Sequence, residues 1–176
     1  MNAIEAATLQ SERLVLDPLR PEDADEMVHL LSDERLYEHT GGRSLSLAEL
    51  RSRYHRLALG RSEDREQIWL NWIVRLRDDR AAVGTAQATV TGSVGDLEAR
   101  IAWVVGVPWQ GQGIATEAAL ALVYWLDQRG VRSISAAIHP RHLASQRVAG
   151  RAGLCLTDEL VLGEQVWRRK AVQAFT

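Results

Sequence analysis

The period of apolar and polar positions changes several times along the chain, and each change marks an element. Arg13-Leu-Val-Leu-Asp-Pro-Leu19 alternates charge with apolar residues and predicts a strand. Arg20-Pro21-Glu22-Asp23 follows, with proline early and acids clustered as at a helix N-terminus. Ala24, Met27, Val28, Leu30 and Leu31 then recur at helical spacing to about Ser32. Beyond the Gly41-Gly42 break, Ser46 and Glu49 stand three apart as in a capping box and open a helix reaching about Gly60. The charged run Arg61 to Gln67 reads as a surface loop. From Ile68 the period falls to two: Ile68 to Arg77 and Ala82 to Thr91 predict strands joined by a turn at Asp78-Asp79-Arg80. Gly92-Ser-Val-Gly95 turns into a third strand, Glu98 to Val107, so the middle of the chain is an antiparallel meander. Helical spacing returns from Gly113 to Gly130, where glycine is the expected C-cap. Arg132 to Ile138 is a strand reached through that helix, hence parallel to the strand before it in a right-handed crossover. A short helix, Leu143 to Ala152, stops at Gly153, and strands at Leu156 to Leu162 and Gln165 to Val172 turn at Gly163-Glu164. Residues 1 to 11, small and polar, read as a frayed end. The order βααβββαβαββ, without repeat or linker, predicts one mixed α/β (α+β) domain over residues 1–176.

Composition narrows the class. A chain of 176 residues buries roughly 70% of its unfolded surface and needs no staple. With 21 Lys plus Arg against 23 Asp plus Glu, and no block of like charge, nucleic acid is not an expected partner. Cys155 is the lone cysteine, so no disulfide forms within the chain, which fits a reducing cytoplasm. The opening MNAIEAATLQSER lacks the pattern of a signal peptide. The longest apolar stretch, Ala118 to Leu126, has about half the length of a membrane span. A soluble cytoplasmic protein with no membrane partner is expected.

Chemistry enters at Trp109 to Ala118, WQGQGIATEA. A strand, a loop of alternating glycines and amides and then a helix place unpaired N–H groups and the positive end of a helix dipole at one spot, which suits a phosphate-like anion. A Walker A loop is disfavoured, because Gly106 to Gly111 has its spacing but Gln112 stands where its lysine belongs. A dinucleotide fingerprint is disfavoured as well: Gly111-Gln-Gly113-Ile-Ala leads to Thr116, and Ile138 is followed by His139-Pro140 rather than a ribose-binding acid.

Gln110-Gly111-Gln112-Gly113-Ile114-Ala115 matches [QR]xxGx[GA] and resembles the acyl-CoA pyrophosphate loop of the GNAT superfamily of N-acetyltransferases. Glu12-Arg13-Leu14-Val15-Leu16 with Arg20-Pro-Glu-Asp23, and Ala144-Ser145-Gln-Arg147-Val148-Ala-Gly-Arg-Ala-Gly153-Leu154, resemble the branch containing the ribosomal-protein N-terminal alanine acetyltransferases. The resemblance implies that Glu98 to Val107 and Arg132 to Ile138 start together and splay, admitting a pantetheine arm as an extra strand would pair. Backbone groups of Val105, Gly106 and Val107 would hold the arm, and amides of Gln110, Gly111, Gln112, Gly113, Ile114, Ala115 and Thr116 the diphosphate of acetyl-CoA. Acetyl would pass directly to a bound amine, a protein N-terminus or a small molecule, in a ternary complex.

By the same resemblance Ser145 is the group to protonate the leaving thiolate, and His142, where the family has asparagine, contacts pantetheine. Glu98, sharing a face with Arg100 and Ala102, is a candidate base, with relayed water as the alternative and Glu38 or His39 near the amine. The branch's glutamate position is Arg100 here, and the tyrosine used by other acetyltransferases is replaced by Ala149. These departures keep a non-catalytic acyl-CoA-binding or sensing domain open as an alternative. His139 and His142, with proline between them and no third ligand, do not predict a metal. Cys155, Trp103 and Trp125 are expected in the core, while Trp69, Trp72 and Trp109 are better placed to meet ligand. A homodimer through the C-terminal strands is compatible with the pattern.

Overall fold

A computed structural model of the chain describes residues 4–93 and 95–170. In chain order the elements are β1 (Leu9–Gln10), β2 (Leu14–Pro18), α1 (Ala24–Leu30), α2 (Leu47–Ala58), β3 (Ile68–Leu76), β4 (Ala82–Ser93), β5 (Asp96–Val105), α3 (Ile114–Gln128), β6 (Val131–Ile138), α4 (Leu143–Arg151), β7 (Cys155–Val161) and β8 (Glu164–Lys170). Short 3-10 turns stand at Pro21–Asp23, Glu34–Tyr37 and Val107–Trp109. The strands form one sheet in the order β1-β2-β3-β4-β5-β6-β8-β7. Its described pairs are antiparallel except β5 with β6, which is parallel. The order read from the sequence is therefore observed, with one strand added. Met1 to Ala3 of the expected frayed end, Val94 of the turn before β5, and Ala171 and Val172 of the expected last strand lie outside the described residues.

The added strand is β1, in the segment read as a frayed end. Leu9 pairs with Leu16 and Gln10 with Val15, and Leu9 is buried. A two-residue strand is too short to show a period, so only its partner and its apolar contact reveal it.

Alternation along the strands sends neighbours to opposite faces. Leu70, Trp72 and Val74 of β3 join Ala99 and Ile101 of β5 beneath α3, which buries Ile114, Ala118, Leu122 and Leu126 against them. Ile73, between Trp72 and Val74, faces the other way and packs with Met27 of α1 and Leu50 and Tyr54 of α2. The sheet is thus covered on both faces, and the loop between α1 and α2 is held over the β5 side. Trp72 is not a surface residue awaiting a ligand: it is fully buried, and its Nε1 donates to the Ala7 carbonyl at 2.8 Å. Cys155 departs from expectation in the other direction and is exposed, because it follows buried Leu154 onto edge strand β7, whose residues are mostly solvent-facing. Trp103 and Trp125 are partly buried against the main core.

The capping box forms as read. Ser46 Oγ accepts from the Glu49 amide at 3.3 Å, and Glu49 Oε2 accepts from the Ser46 amide at 2.8 Å. The Arg43 guanidinium, and then the Ser46 amide, hold the Glu49 carboxyl down at about 2. A carboxylate with a depressed pKa contributes stability above its ordinary value of 4.5 and loses it as the pH falls toward about 2. Ser46→Ala is expected to lower the unfolding free energy by about 1 kcal/mol, read from the urea midpoint at pH 7. Among the described residues no helix is long and apolar enough to cross a membrane.

Candidate active site

The site begins where two strands part. β5 and β6 pair only from Leu97 to Arg100 and from Val131 to Ser135. Beyond that point β5 stays with β4, through Gly84 opposite Val105, and β6 stays with β8, through Ile138 opposite Gln165. Each strand follows its outer partner, and a wedge opens between them. The Gly106 amide donates to the Val83 carbonyl at 2.9 Å. By the alternation of an antiparallel ladder, the backbone groups of Trp103 and Val105 then face the wedge.

At Gly106 the chain passes close to α1, where a Cβ would stand 2.9 Å from Leu30 Cγ. The turn Val107–Trp109 follows, closed by the Trp109 amide on the Gly106 carbonyl at 2.8 Å. Gly111 and Gly113 then adopt φ of +75° and +80°, which L side chains rarely take. These two reversals bring the chain into α3 with its amides leading. Among the described residues the amides from Gly111 to Thr116 donate to no backbone carbonyl; the first intrahelical bond of α3 is made by Glu117, to Gly113 at 3.0 Å. The loop is braced from within, since Gln110 Nε2 donates to the Val105 carbonyl at 3.0 Å and Gln112 Nε2 to the Pro108 carbonyl at 3.2 Å.

It is braced from outside by Arg13. Arg13 Nη1 donates to the Gln112 carbonyl at 3.1 Å, Nε to Glu117 Oε2 at 2.8 Å, and the backbone amide to Glu117 Oε1 at 2.7 Å. Burial works to raise the Glu117 carboxyl, but the bonds from Arg13 and Ser11 outweigh it and its pKa lies below the ordinary value. A bare carboxylate in this first turn would oppose a bound anion; paired with Arg13 it anchors the loop to the start of β2. Arg13 belongs to the N-terminal signature visible in the sequence, yet its service to a loop about a hundred residues away is a tertiary fact.

The loop, the end of β5, the start of α3, α4 and residues 35–40 enclose a cleft of 790 Å³. Arg35, Arg141, Arg147 and Arg151 line it against a lone acid, Glu38. A narrower pocket of 70 Å³ runs into the wedge, between Ile101–Trp103 and Ala136–His139, with His39, Thr40, His142, Ser145 and Glu164 around it. The structure thus brings Val105, Val107, Gln110, Gly111, Gly113, Ile114, Ala115, Thr116, His142 and Ser145 to one cleft. Gly106 and Gln112 belong to the same turn but do not line it. Trp103 and Trp109 line it, whereas Trp69 and Trp72 do not.

Glu98 stands elsewhere. It lies in the closed part of the β5–β6 pair, opposite Ser133 and Thr91, is exposed, and has Arg168 as the cation its charge acts on. The strands separate only after Arg100, so a residue at 98 cannot wall the wedge. Glu164 does so instead. Its sequence context is a turn, and only the pairing of β8 with β6 brings it to the pocket.

Around the wedge three imidazoles gather. The His39 ring lies 4.6 Å from that of His142 and 5.7 Å from that of His139. His142 Nε2 is 3.2 Å from Ser145 Oγ. Burial first, then the charges of His39 and His139, push the His142 pKa below the usual histidine value, so it is neutral at neutral pH. The rings are stacked and tilted rather than converging on a point. Among the described residues no group of three or more His, Cys, Asp and Glu is placed to hold a metal. Ala149 is fully buried, so at the position where the resemblance would allow a tyrosine the helix offers no side chain to the cleft.

The acetyltransferase (GNAT) domain family matches residues 13–154, most of the chain. The chain belongs to the GNAT acetyltransferase family. This acetyltransferase resembles in fold the ribosomal L7/L12 alpha-N-protein acetyltransferase RimL solved with coenzyme A, at a TM-score of 0.78 and 18% identity over 93% of this chain and 98% of the other. A GNAT-family acetyltransferase from Bacillus anthracis superposes at 0.72, with 18% identity over 93% of this chain and 98% of that one. AAC(6')-Ib, solved with paromomycin and acetyl-CoA, superposes at 0.74, with 18% identity over 91% of this chain and 94% of that one. No curated protein matches the sequence.

Proposed function

We propose that this GNAT acetyltransferase moves acetyl from acetyl-CoA directly to a primary amine, a protein N-terminus or a small molecule, in a ternary complex. The observation that carries the reading is that the cleft over the free backbone amides before α3 and the pocket in the β5–β6 wedge share His39, Thr40, Trp103, His142 and Ser145 in their walls. The amides and the α3 dipole would hold a diphosphate. Arg141, Arg147 and Arg151 add positive charge along the same wall and suit the remaining phosphate. The pantetheine arm would pair with the backbone of Trp103 and Val105, and the Val105 amide would polarise the thioester carbonyl. Ser145 would protonate the departing thiolate, with His142 beside it. An ammonium acceptor would approach from the side of Glu38 and Glu164, and its first proton would pass to Glu164 or to water. Cys155 lies outside the cleft lining and has no part in this scheme. An exposed free thiol suits a reducing cytoplasm.

The test is a thermal-shift comparison of acetyl-CoA, CoA, NAD and ATP, followed by CoA release with a peptide library bearing free N-termini, with paromomycin and with spermidine. Ligand at about 100 times its dissociation constant should raise Tm by roughly 5 to 10 °C for acetyl-CoA and CoA alone. A shift with NAD or ATP in their place would sink the reading of the loop. Tight CoA binding without turnover on any amine would favour an acyl-CoA sensor.

A further inference from the structure

We propose that His142 and Ser145 form a single proton relay that carries the second proton of the acceptor amine to the leaving thiolate. The inference rests on the acetyltransferase reading and deepens it. Once the acceptor nitrogen has attacked the thioester carbon, the C–N bond has formed and the nitrogen is cationic, while the sulfur leaves with the electron pair of the C–S bond. One proton must leave nitrogen and one must reach sulfur. An imidazole held neutral has an empty ring nitrogen to take the first and an N–H to give the second. His142 accepts at Nδ1 and donates from Nε2 to Ser145 Oγ, 3.2 Å away, as the Ser145 hydroxyl gives its own proton to sulfur. The ring ends neutral in its other tautomer, so charge is conserved without a charged intermediate on the enzyme.

Three observations support this. His142 and Ser145 both line the wedge as well as the main cleft. His142 caps α4, which fixes it one helical turn before Ser145. Its surroundings oppose a permanent positive charge: His39 faces it from the loop between α1 and α2, and His139 from the turn after β6. Glu38 lies on the first of these segments, Arg141 on the second, and Glu164 lines the pocket from the start of β8.

The experiment compares the wild type with His142→Asn, Ser145→Ala, the double variant and His39→Gln. The probes are acetyl-CoA with the free-N-terminus peptide library, paromomycin and spermidine, and acetyl-CoA affinity is measured by calorimetry. Asparagine suits a helix N-cap and keeps an amide near Ser145 but cannot relay. His142→Asn and Ser145→Ala are each expected to lower kcat about 100-fold, with affinity for acetyl-CoA within about threefold of wild type and the double variant no slower than either single one. The part of the acid fall of kcat that belongs to His142 should be lost in His142→Asn, leaving the part set by the acceptor's first deprotonation, and in His39→Gln the His142 part should move to higher pH. Wild-type kcat in His142→Asn, an unchanged acid limb, or multiplicative losses in the double variant would each overturn the relay while leaving the transferase intact. A wild type that binds acetyl-CoA yet transfers to none of the probes overturns the relay together with the reading beneath it.

Discussion

Gly113→Pro should abolish acetyl-CoA binding in a chain that still folds, raising the dissociation constant at least ~100-fold, because proline fixes φ near −65° and has no N–H to give. Gly113 sits at φ +80° as the N-cap of α3, and its amide is one of those that lead the chain into the helix. The substitution therefore removes a donor and re-aims its neighbours. The residue is exposed and its ideal Cβ meets nothing closer than Arg13 Nη2 at 3.4 Å, so the core is spared. Gly113→Ala keeps the amide but strains the same backbone by about 1–2 kcal/mol, so a roughly tenfold loss is expected. Calorimetry with acetyl-CoA, beside a far-ultraviolet dichroism spectrum showing retained helix, separates lost binding from lost fold. Full affinity in Gly113→Pro would mean that the diphosphate lies elsewhere.

The largest loss of stability should come from Trp72→Ala, which is expected to cost about 3–5 kcal/mol and to lower Tm by roughly 6 to 20 °C. Trp72 is fully buried, meets the Trp125 ring edge-on at 5.5 Å, and ties residue 7 to the sheet through its Nε1. Alanine leaves a cavity under α3 and an unsatisfied carbonyl at Ala7. Trp72→Phe keeps a six-membered ring but gives up the hydrogen bond and the rest of the indole volume, for about 1–3 kcal/mol. Urea unfolding followed by dichroism measures both. A cost below ~1 kcal/mol for the alanine variant would show that the N-terminal segment does not depend on this ring.

The two sites differ in how far the sequence announces them. Around Gly113 the geometry is local: positive-φ glycines, amide side chains and a helix start follow one another, so a short stretch specifies its own shape. Trp72 is the opposite case. It lies in the alternating run Ile68 to Leu76, and alternation says only that Leu70, Trp72 and Val74 share a face. Which face meets α3 and which meets α1 and α2 depends on elements far along the chain.

The same division runs through the site. His142 is the N-cap of a short helix and Ser145 lies in its first turn, so their proximity was legible at three-residue spacing, as was the Ser46–Glu49 box. Glu98 read as a wall residue because it shares a strand face with Ala102, but a strand's facing says nothing about where its partner departs. The departure after Arg100 is set by β4 and β8 pulling β5 and β6 apart. That separation leaves Glu98 at the closed end and admits Glu164, which no local pattern marks. His39 reaches His142 only because α1 and α2 pack on the sheet and hang their loop over the wedge.

What the sequence determined by itself is therefore the set of features governed by backbone preference and short-range periodicity: the element order, the helix caps, the glycine turns and the row of free amides that leads into α3. The tertiary structure alone decided β1, the exposure of Cys155, the burial of Trp72, the Arg13 brace and the exchange of Glu98 for Glu164 at the wedge. Each of these depends on contacts between residues distant in the chain, whose energies come from packing and pairing that no local pattern encodes.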